Sequence, residues 1–303
     1  MPLRRKVTSG DYYDCVPASR HSSGDIWSGL PSFGMIGTHC IKGIVITPAC
    51  DLENHKSEMI TYLPIISVHE YFSTHAVLPT ILRKIRGQIE TAGLSGIEIP
   101  SGNFYSLPFQ SVCELLWTET RSLLSKAGTG EKQRTAASRI QAGLGVLEKI
   151  RNPELQAVPP GELELLIGTV DWKNCSREIA QNKFSTDVHF LPPDEQETDW
   201  SGIPLPSLVL FRHPHSIPIN ILDCANDIDQ KDWDITVANL CCSFPGAEIF
   251  KGRRPLKRSL LKSRFYSDLI TRYVGVHVRL GSPNLSEDSI EKYASQIRTG
   301  RMC

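Results

Sequence analysis

Long apolar runs are missing from this sequence of 303 residues. Its first fifteen residues, MPLRRKVTSGDYYDC, carry basic side chains but only short apolar stretches, and the later apolar runs are short as well. A secretory signal needs an apolar core of about 7–15 residues, and a membrane-spanning helix needs about 20. The sequence therefore predicts neither secretion nor a membrane span, and we expect a cytoplasmic protein.

An excess of charge of either sign is missing too. Lys and Arg together number 33, as do Asp and Glu, so no global charge attracts nucleic acid or a membrane surface. A hydrophobic content of 40% with 22% charged residues is typical of a soluble globular chain, and the length suits one large domain or two ordinary ones. Contact with nucleic acid therefore requires a local patch.

Metal motifs are the next absence. The nine cysteines are scattered, which favours reduced thiols in a cytoplasm, and no C-x2-C pair occurs. His69-Glu70 lacks a histidine at the fifth position, and His213-Pro214-His215 has no identifiable partner ligands. We expect no metal site.

Nucleotide and hydrolase motifs are missing as well. The chain has no Walker loop, no G-x-G-x-x-G and no G-x-S-x-G. We therefore expect no cofactor and no α/β-hydrolase chemistry.

What the sequence does contain is a strand-rich stretch over residues 24–71. Residues 43–47 read Gly-Ile-Val-Ile-Thr and residues 60–67 read Ile-Thr-Tyr-Leu-Pro-Ile-Ile-Ser, both rich in residues that favour strands and bounded by loop formers. A Gly-Asp pair followed by an aromatic residue opens the stretch. This pattern indicates a small curled barrel with two buried strands on either side of a loop.

The stretch resembles the start of the MazF/PemK family of ribonuclease toxins, which are SH3-like barrels. In that family Gly-Asp-Ile/Val and an aromatic open the first strand, a run such as Val-Val-Leu-Ser-Pro forms the next, and Pro-Ile-Thr lies in a later one. The matching residues here are 24–27 (Gly-Asp-Ile-Trp), 44–48 (Ile-Val-Ile-Thr-Pro) and 64–67 (Pro-Ile-Ile-Ser). The match covers about a sixth of the chain.

Two departures from the family pattern concern the cutting residues. Family members use an Arg in the loop before the second strand and a Thr in the Pro-Ile-Thr segment. This chain offers Lys42 in the loop, and Ile66 at the Thr position with Ser67 beside it. Lysine lacks the bidentate fork of arginine, and isoleucine cannot act as an acid or a base. The resemblance implies the barrel and argues against simple transfer of the nuclease activity.

The remaining chain predicts an α+β fold: an N-terminal SH3-like β-barrel with an inserted helical layer and a C-terminal β plus α part. We assign residues 1–77 to the barrel core and 78–152 to the helical insert. The insert has amphipathic helices at 78–92 and 131–151, and between them a third that starts with a capping box from Ser111 to Glu114. Pro159-Pro160-Gly161 marks the clearest internal boundary.

Residues 162–303 form the second β-rich part, ending in two helices. The predicted strands are 163–170, 207–211 and 217–223, and the predicted helices are 260–280, with 274–280 as an alternative strand, and 286–298. Periodicity does not decide whether these strands complete the first barrel or form a second sheet. We favour a second sheet, because Pro159-Pro160-Gly161 would interrupt a single barrel.

The strongest charge feature is the segment 251–264, KGRRPLKRSLLKSR. It holds seven basic residues in fourteen positions and no carboxylate. If it is helical after Pro255, its charges form a surface for a phosphate backbone or an acidic protein. The competing interpretation is a solvated helix start balanced by the acidic stretch 187–199. The candidate binding residues are Lys251, Arg253, Arg254, Lys257, Arg258, Lys262 and Arg264.

A second group of candidates lies in the loop after residue 47. Cys50, Asp51 and His55 place a thiol, a carboxylate and an imidazole close together, as a Cys-centred hydrolase would require. In the competing, purely structural interpretation, Cys50 is a small buried hydrophobic residue that ends the strand, and Asp51 closes a turn through its side chain.

Two functions follow from these patterns. The first is a non-catalytic accessory or binding protein that contacts a protein partner, RNA or DNA; the resemblance implies a bacterial toxin–antitoxin or antiphage defence set with a co-encoded partner. The second is an active endoribonuclease, with Lys42 supplying charge and Ser67 or Thr47 a hydroxyl, or the hydrolase centred on Cys50, Asp51 and His55.

Overall fold

The computed structural model describes residues 7, 9–16, 18–33, 36, 40–54, 56–94, 96–99, 106–152, 154–194 and 201–278. Its strands are β1 Tyr13–Asp14, β2 Asp25–Pro31, β3 Cys40–Val45, β4 Met59–Ser67, β5 Val188–Leu191, β6 Ser207–Leu210, β7 His215–Pro218 and β8 Leu256–Leu261. Its α-helices are α1 Ala49–Glu53, α2 Val68–Tyr71, α3 Leu78–Ala92, α4 Gln110–Ser125, α5 Glu131–Arg151, α6 Pro160–Ile167, α7 Thr169–Ala180, α8 Ile219–Asp227, α9 Trp233–Cys241 and α10 Ser263–His277.

The described strands form an eight-stranded antiparallel sheet in the order β1-β8-β2-β3-β4-β6-β5, with β7 also paired to β4. Strand β4 has nine residues, so one of its edges accommodates β7 along its first half and β6 along its second half. Strand β8, from late in the chain, lies between β1 and β2. The second sheet that we favoured is therefore wrong, because the late strands complete the early sheet.

The two faces of the sheet carry different apolar cores. Strand side chains alternate between faces, so neighbours such as Ile26 and Trp27 enter different clusters. The larger cluster joins the sheet to the helical layer that includes α3, α5 and α6. On the other face, Leu269 of α10 packs in the smaller cluster with Ile26. The fold is thus mixed α and β, with helices on both faces of the sheet.

Two helices of the insert have the predicted bounds, and one start differs. Helices α3 and α5 span the predicted residues 78–92 and 131–151. They cross closely at Gly143, where an added Cβ would lie 2.6 Å from Cγ1 of Ile85. The capping box at Ser111 is wrong: α4 begins at Gln110, and no side chain of the described residues caps it.

Three segments after residue 159 differ from the predicted structure. Residues 163–170 lie in α6 and α7, because Pro160 suits the first turn of a helix and Leu163 and Leu166 are buried three residues apart. Residues 217–223 end β7 and begin α8. The predicted helix from residue 260 begins at Ser263, because Leu256–Leu261 pairs with β2 as strand β8.

The remaining strand and helix predictions agree with the structure in part. The predicted strands at 43–47, 60–67 and 207–211 correspond to β3, β4 and β6 and are confirmed. Helix α10 continues to His277, so residues 274–277 are helical rather than extended. Residues 279–303, which include the predicted helix at 286–298, lie outside the described residues.

The sheet is rolled, and a loop spans the gap between its ends. Strands β1 and β5 are six neighbours apart, which in a flat sheet is about 29 Å at ~4.8 Å per strand. Nevertheless the Tyr13 hydroxyl in β1 donates a hydrogen bond to the carbonyl of Pro192, just after β5. Beyond β5, the carbonyl of Ser201 accepts from the hydroxyl of Ser259 in β8 at 2.6 Å. The described sheet is thus open in its backbone pairing but curled on itself.

Candidate functional site

A cleft of about 430 Å³ opens over β2, β3 and β4. We call it the Lys42 cleft. Its polar lining consists of Ser28, Lys42, Ser67, Glu70 and Ser207. Its apolar lining includes Ile41, Ile65, Ile66, Leu155, Pro204 and Leu205.

A β-bulge faces Lys42. In the β2–β3 pair, Trp27 lies opposite Gly43 and Leu30 lies opposite Ile41, so Ser28 and Gly29 together face one residue. Gly29 has a φ of 80°, and an added Cβ there would lie 3.3 Å from backbone atoms of residues 254 and 255. Bulges interrupt strand pairing and re-aim side chains beside functional sites. The local geometry therefore places Lys42 at a break in the sheet.

The Ser67 hydroxyl is engaged at the wall of this cleft. Its Oγ accepts from the Glu70 N–H at 3.1 Å, and Oε2 of Glu70 accepts from the Ser67 N–H at 2.7 Å, forming a capping box for α2. Ser67 is only 8% exposed. A nucleophilic hydroxyl needs an adjacent base. The carboxylate of Glu70, which lies beside the Ser67 hydroxyl, already accepts from the backbone as part of the cap. The arrangement therefore favours a structural role for this hydroxyl over a nucleophilic one.

A second cation reaches the bulge from β8. Nε of Arg258 donates to the Ser28 hydroxyl at 3.0 Å. The stem of Arg258 covers Gly202, where an added Cβ would lie 2.8 Å from it. Arg258 thus contributes positive charge close to the Lys42 cleft, while its side chain also ties β8 to the loop before β6.

The other predicted basic residues do not form one surface. The segment is a strand rather than a helix, and Lys257 pairs with Asp25 whereas Arg258 reaches Ser28, so the predicted helical surface is wrong. Nη1 of Arg254 donates to the carbonyls of Ala225 and Ile228 at the end of α8.

Lys257 is part of a buried ion pair. Its Nζ lies 2.7 Å from Oδ2 of Asp25 and donates to the carbonyls of Ala18 and Arg20. Burial raises the pKa of Asp25, and the ammonium of Lys257 opposes this rise. The pair fastens β8 to β2 and to the segment before β2.

The last four basic candidates lie toward the surface. Lys262 reaches the carbonyl of Gly10 at 3.5 Å, and the guanidinium of Arg264 lies 4.4 Å from the centre of the Phe265 ring. Lys251 and Arg253 are exposed in the turn before β8. These residues are spread along the turn, the strand end and the helix start.

The Cys50 candidates lie on a short helix rather than in a loop. Cys50 is exposed on α1, with Sγ 3.6 Å from Oδ1 of Asp51, and its carbonyl accepts from Nδ2 of Asn54. His55 lies outside the described residues. The structure therefore brings Lys42 and Ser67 to one cleft and leaves the Cys50 site as a prediction.

Sequence reasoning missed three parts of the cleft. Glu70 could have been found, because Ser67 followed three residues later by a glutamate is the pattern of a capping box. The bulge at Ser28 and Gly29 carries no local signal, since it depends on the register between β2 and β3. The wall at Pro204 and Leu205 depends on the pairing of β4 with the distant strand β6.

The described residues offer neither a metal site nor a membrane-spanning helix. No group of three or more His, Cys, Asp or Glu residues in the described ranges could hold a metal ion. Among the helices described, none is long and apolar enough to cross a membrane. Comparison of the chain with protein-family models, curated proteins and solved structures gives no significant match.

Proposed function

We propose that the chain is a non-catalytic binding protein whose Lys42 cleft holds a segment of a protein partner. The observation that carries this proposal is the lining of the cleft, where apolar side chains from β3, from β4 and from the loops at Leu155 and Leu205 surround a few polar groups. Leu205 stands 56% exposed at its wall, an arrangement suited to an apolar anchor of a partner.

A protein partner is favoured over nucleic acid by the use of the basic residues. Binding to a phosphate backbone relies on several lysines and arginines that neutralise phosphates together. Here the side chains of Lys257 and Arg254 make contacts within the fold, and Arg258 packs across Gly202. The four basic residues that remain exposed are spread over the turn before β8, the strand end and the start of α10, which does not favour one continuous phosphate-binding track.

We extend the proposal to the SH3-like barrel and the setting that the resemblance implies. The rolled sheet supports the barrel, because β2, β3 and β4 are consecutive neighbours over the stretch that resembles MazF/PemK proteins. The contact from Tyr13 to Pro192 supports it further, since it joins opposite ends of the sheet. By the same resemblance, the partner is encoded alongside this chain in a bacterial toxin–antitoxin or antiphage set.

A second candidate, an endoribonuclease, is favoured by one specific observation. Lys42 and Ser67 line the same cleft, as a charge and a hydroxyl acting on one phosphate would. Two findings weigh against it: the Ser67 hydroxyl accepts from a backbone N–H, and the nearby carboxylate is committed to the same cap.

An RNA cleavage assay and a partner capture from the native host separate the two candidates. We expect the purified chain to leave RNA intact, and to retain a partner that Leu205→Asp loses. Leu165→Asp is the matched control, because Leu165 is 42% exposed on α6 outside the cleft. Cleavage of RNA that disappears in Lys42→Ala would instead support the ribonuclease.

A further inference from the structure

A second pocket, of about 390 Å³, lies beside the last turns of α10. We call it the Arg272 pocket. It is lined by Thr186, Asp187, Arg212, Arg272, Gly275 and Val276. These residues come from the turn before β5, the turn after β6 and α10, so three separate segments converge on it. The predicted function uses none of them.

Arg272 has more donors than acceptors in this pocket. Its Nη2 donates to the carbonyl of Val188 at 3.3 Å. Its Nε is buried, yet no described residue accepts a hydrogen bond from it. A guanidinium has five N–H donors and is always charged. A buried donor without an acceptor is uncommon in folded proteins, so the described residues leave this guanidinium incompletely satisfied.

Arg212 adds a second guanidinium, held by Asp187. Nε of Arg212 lies 2.8 Å from Oδ2 of Asp187, and the Thr186 hydroxyl lies 3.5 Å from Oδ1 of the same carboxylate. The ion pair restricts the orientation of the guanidinium at the pocket wall. Two guanidinium groups and one carboxylate therefore line the pocket.

Gly275 keeps the pocket open. A Cβ added at this position would meet no described atom within 4 Å, so space rather than crowding surrounds it. Glycine within a helix is less favourable than alanine. Its presence on α10 next to two arginines is explained if a larger side chain would occupy space that a ligand needs.

We propose that the Arg272 pocket binds the phosphate group of a small molecule. Planar guanidinium forks match phosphate oxygens, and hydrogen bonds from a charged donor to an anion are among the strong ones. The C-terminal end of α10 carries a partial negative charge that opposes an anion, but the full positive charge of Arg272 is larger than this partial charge. The volume exceeds that of a phosphate group alone, so the pocket has room for the group that bears it.

Titration of the full chain with inorganic phosphate tests this proposal. Calorimetry at pH 7.5, with chloride exchanged for phosphate at constant ionic strength, is expected to show saturable binding, and thermal unfolding a midpoint that rises with phosphate. Ribose 5-phosphate is expected to bind at least as tightly, whereas ribose does not bind. Arg272→Gln is expected to weaken phosphate binding by about tenfold or more.

Two further variants keep the test independent of misfolding. Gly275→Leu retains both arginines and fills the pocket, so it is expected to lose phosphate binding. Arg264→Gln removes the same charge from the other end of α10 and is expected to bind like the wild type. Absence of saturable binding to phosphate and to its ester by the wild type, or equal binding by Gly275→Leu, would overturn the proposal.

Discussion

At the residue scale, the basic segment shows that a lysine predicted for surface binding can instead make a buried contact. Lys257 was a candidate for partner binding, yet its side chain is 5% exposed and its partner Asp25 is 2% exposed. A buried ion pair adds little stability by itself, but breaking it leaves one charge buried and uncompensated. The fold therefore depends on both members being present or both being replaced.

The first prediction concerns this pair. Lys257→Met leaves the Asp25 carboxylate buried, so the free energy of unfolding is expected to fall by about 3–5 kcal/mol in urea denaturation. Replacing both residues, Lys257→Met with Asp25→Leu, is expected to recover most of the loss. Lys251→Met, at an exposed position, serves as the control. A loss no larger than that of the control would show that the pair does not fasten β8.

The second prediction concerns His189, which lies on β5 and is 2% exposed. Burial lowers its pKa to about 4; Asp268 on α10 opposes this shift, and Arg272 adds to it. Between pH 4 and the ordinary value of about 6.5, the unfolded chain binds more protons at this histidine than the folded chain does. Its contribution is therefore complete above pH 6.5 and lost as the pH falls toward 4.

Unfolding free energies of the wild type and His189→Gln between pH 4 and 7 test this sign. The wild type is expected to lose up to about 3 kcal/mol more than the variant as the pH falls across this range. His75→Gln changes an exposed histidine and should track the wild type. Parallel pH curves for the wild type and His189→Gln would contradict the buried neutral imidazole.

At the element scale, local periodicity predicted what local interactions determine. The apolar stripe of α3 and the length of α5 were readable because both helices bury one face against each other. Strand β8 was not readable: its leucines and basic residues also fit a helix, and its pairing with β2 joins residues more than two hundred positions apart. The strand predicted for residues 163–170 was wrong for a related reason, since a short apolar run does not distinguish a buried strand from a buried helix.

The candidate site follows the same division. Lys42 and Ser67 were predicted as alternative catalytic residues from the resemblance. The predicted loop position of Lys42 is wrong, because it lies on β3, and Ser67 ends β4. The bulge required the register between β2 and β3, and the wall at Leu205 required the pairing of β4 with the distant strand β6. The sequence thus predicted site residues on strands that have a local sequence signal. It did not predict the parts of the cleft whose position depends on pairing between strands.

The third prediction concerns the crossing of α3 and α5. Gly143→Ala places a Cβ 2.6 Å from Cγ1 of Ile85, so repacking is expected to lower the unfolding free energy by about 1–3 kcal/mol. Gly145→Ala on the same helix is the matched control, because its added Cβ makes ordinary contact at 3.5 Å with Glu162. This control is expected to gain up to about 1 kcal/mol. Equal effects in urea denaturation would show that the helices do not cross so closely.

At the scale of the whole molecule, the sheet joins the two ends of the described chain. β4 pairs with β6 and β7 along one edge, and β1 and β2 pair with β8, so three of the strands before residue 78 have a partner after residue 206. The helices between them cover one face without contributing a strand. The Lys42 cleft depends on this arrangement, since residues 28, 67 and 205 meet only when both ends are in place.

The fourth prediction follows from this topology. The fragment 1–152 lacks β8, which pairs with β1 and β2, and it lacks β6 and β7 along one edge of β4, so we expect it to show no cooperative thermal unfolding. The full chain is expected to unfold with a cooperative transition seen by circular dichroism and calorimetry. A cooperative transition of the fragment would indicate an autonomous N-terminal barrel.

The binding role of the Lys42 cleft is tested most directly by photo-crosslinking from residue 205 in the native host, with a crosslinker at residue 165 as the control. We predict that position 205 captures a defined protein that position 165 does not capture, and that excess Lys42→Ala chain competes less well for that protein than excess wild-type chain. Crosslinks from position 205 to RNA that the chain also cuts would contradict the account.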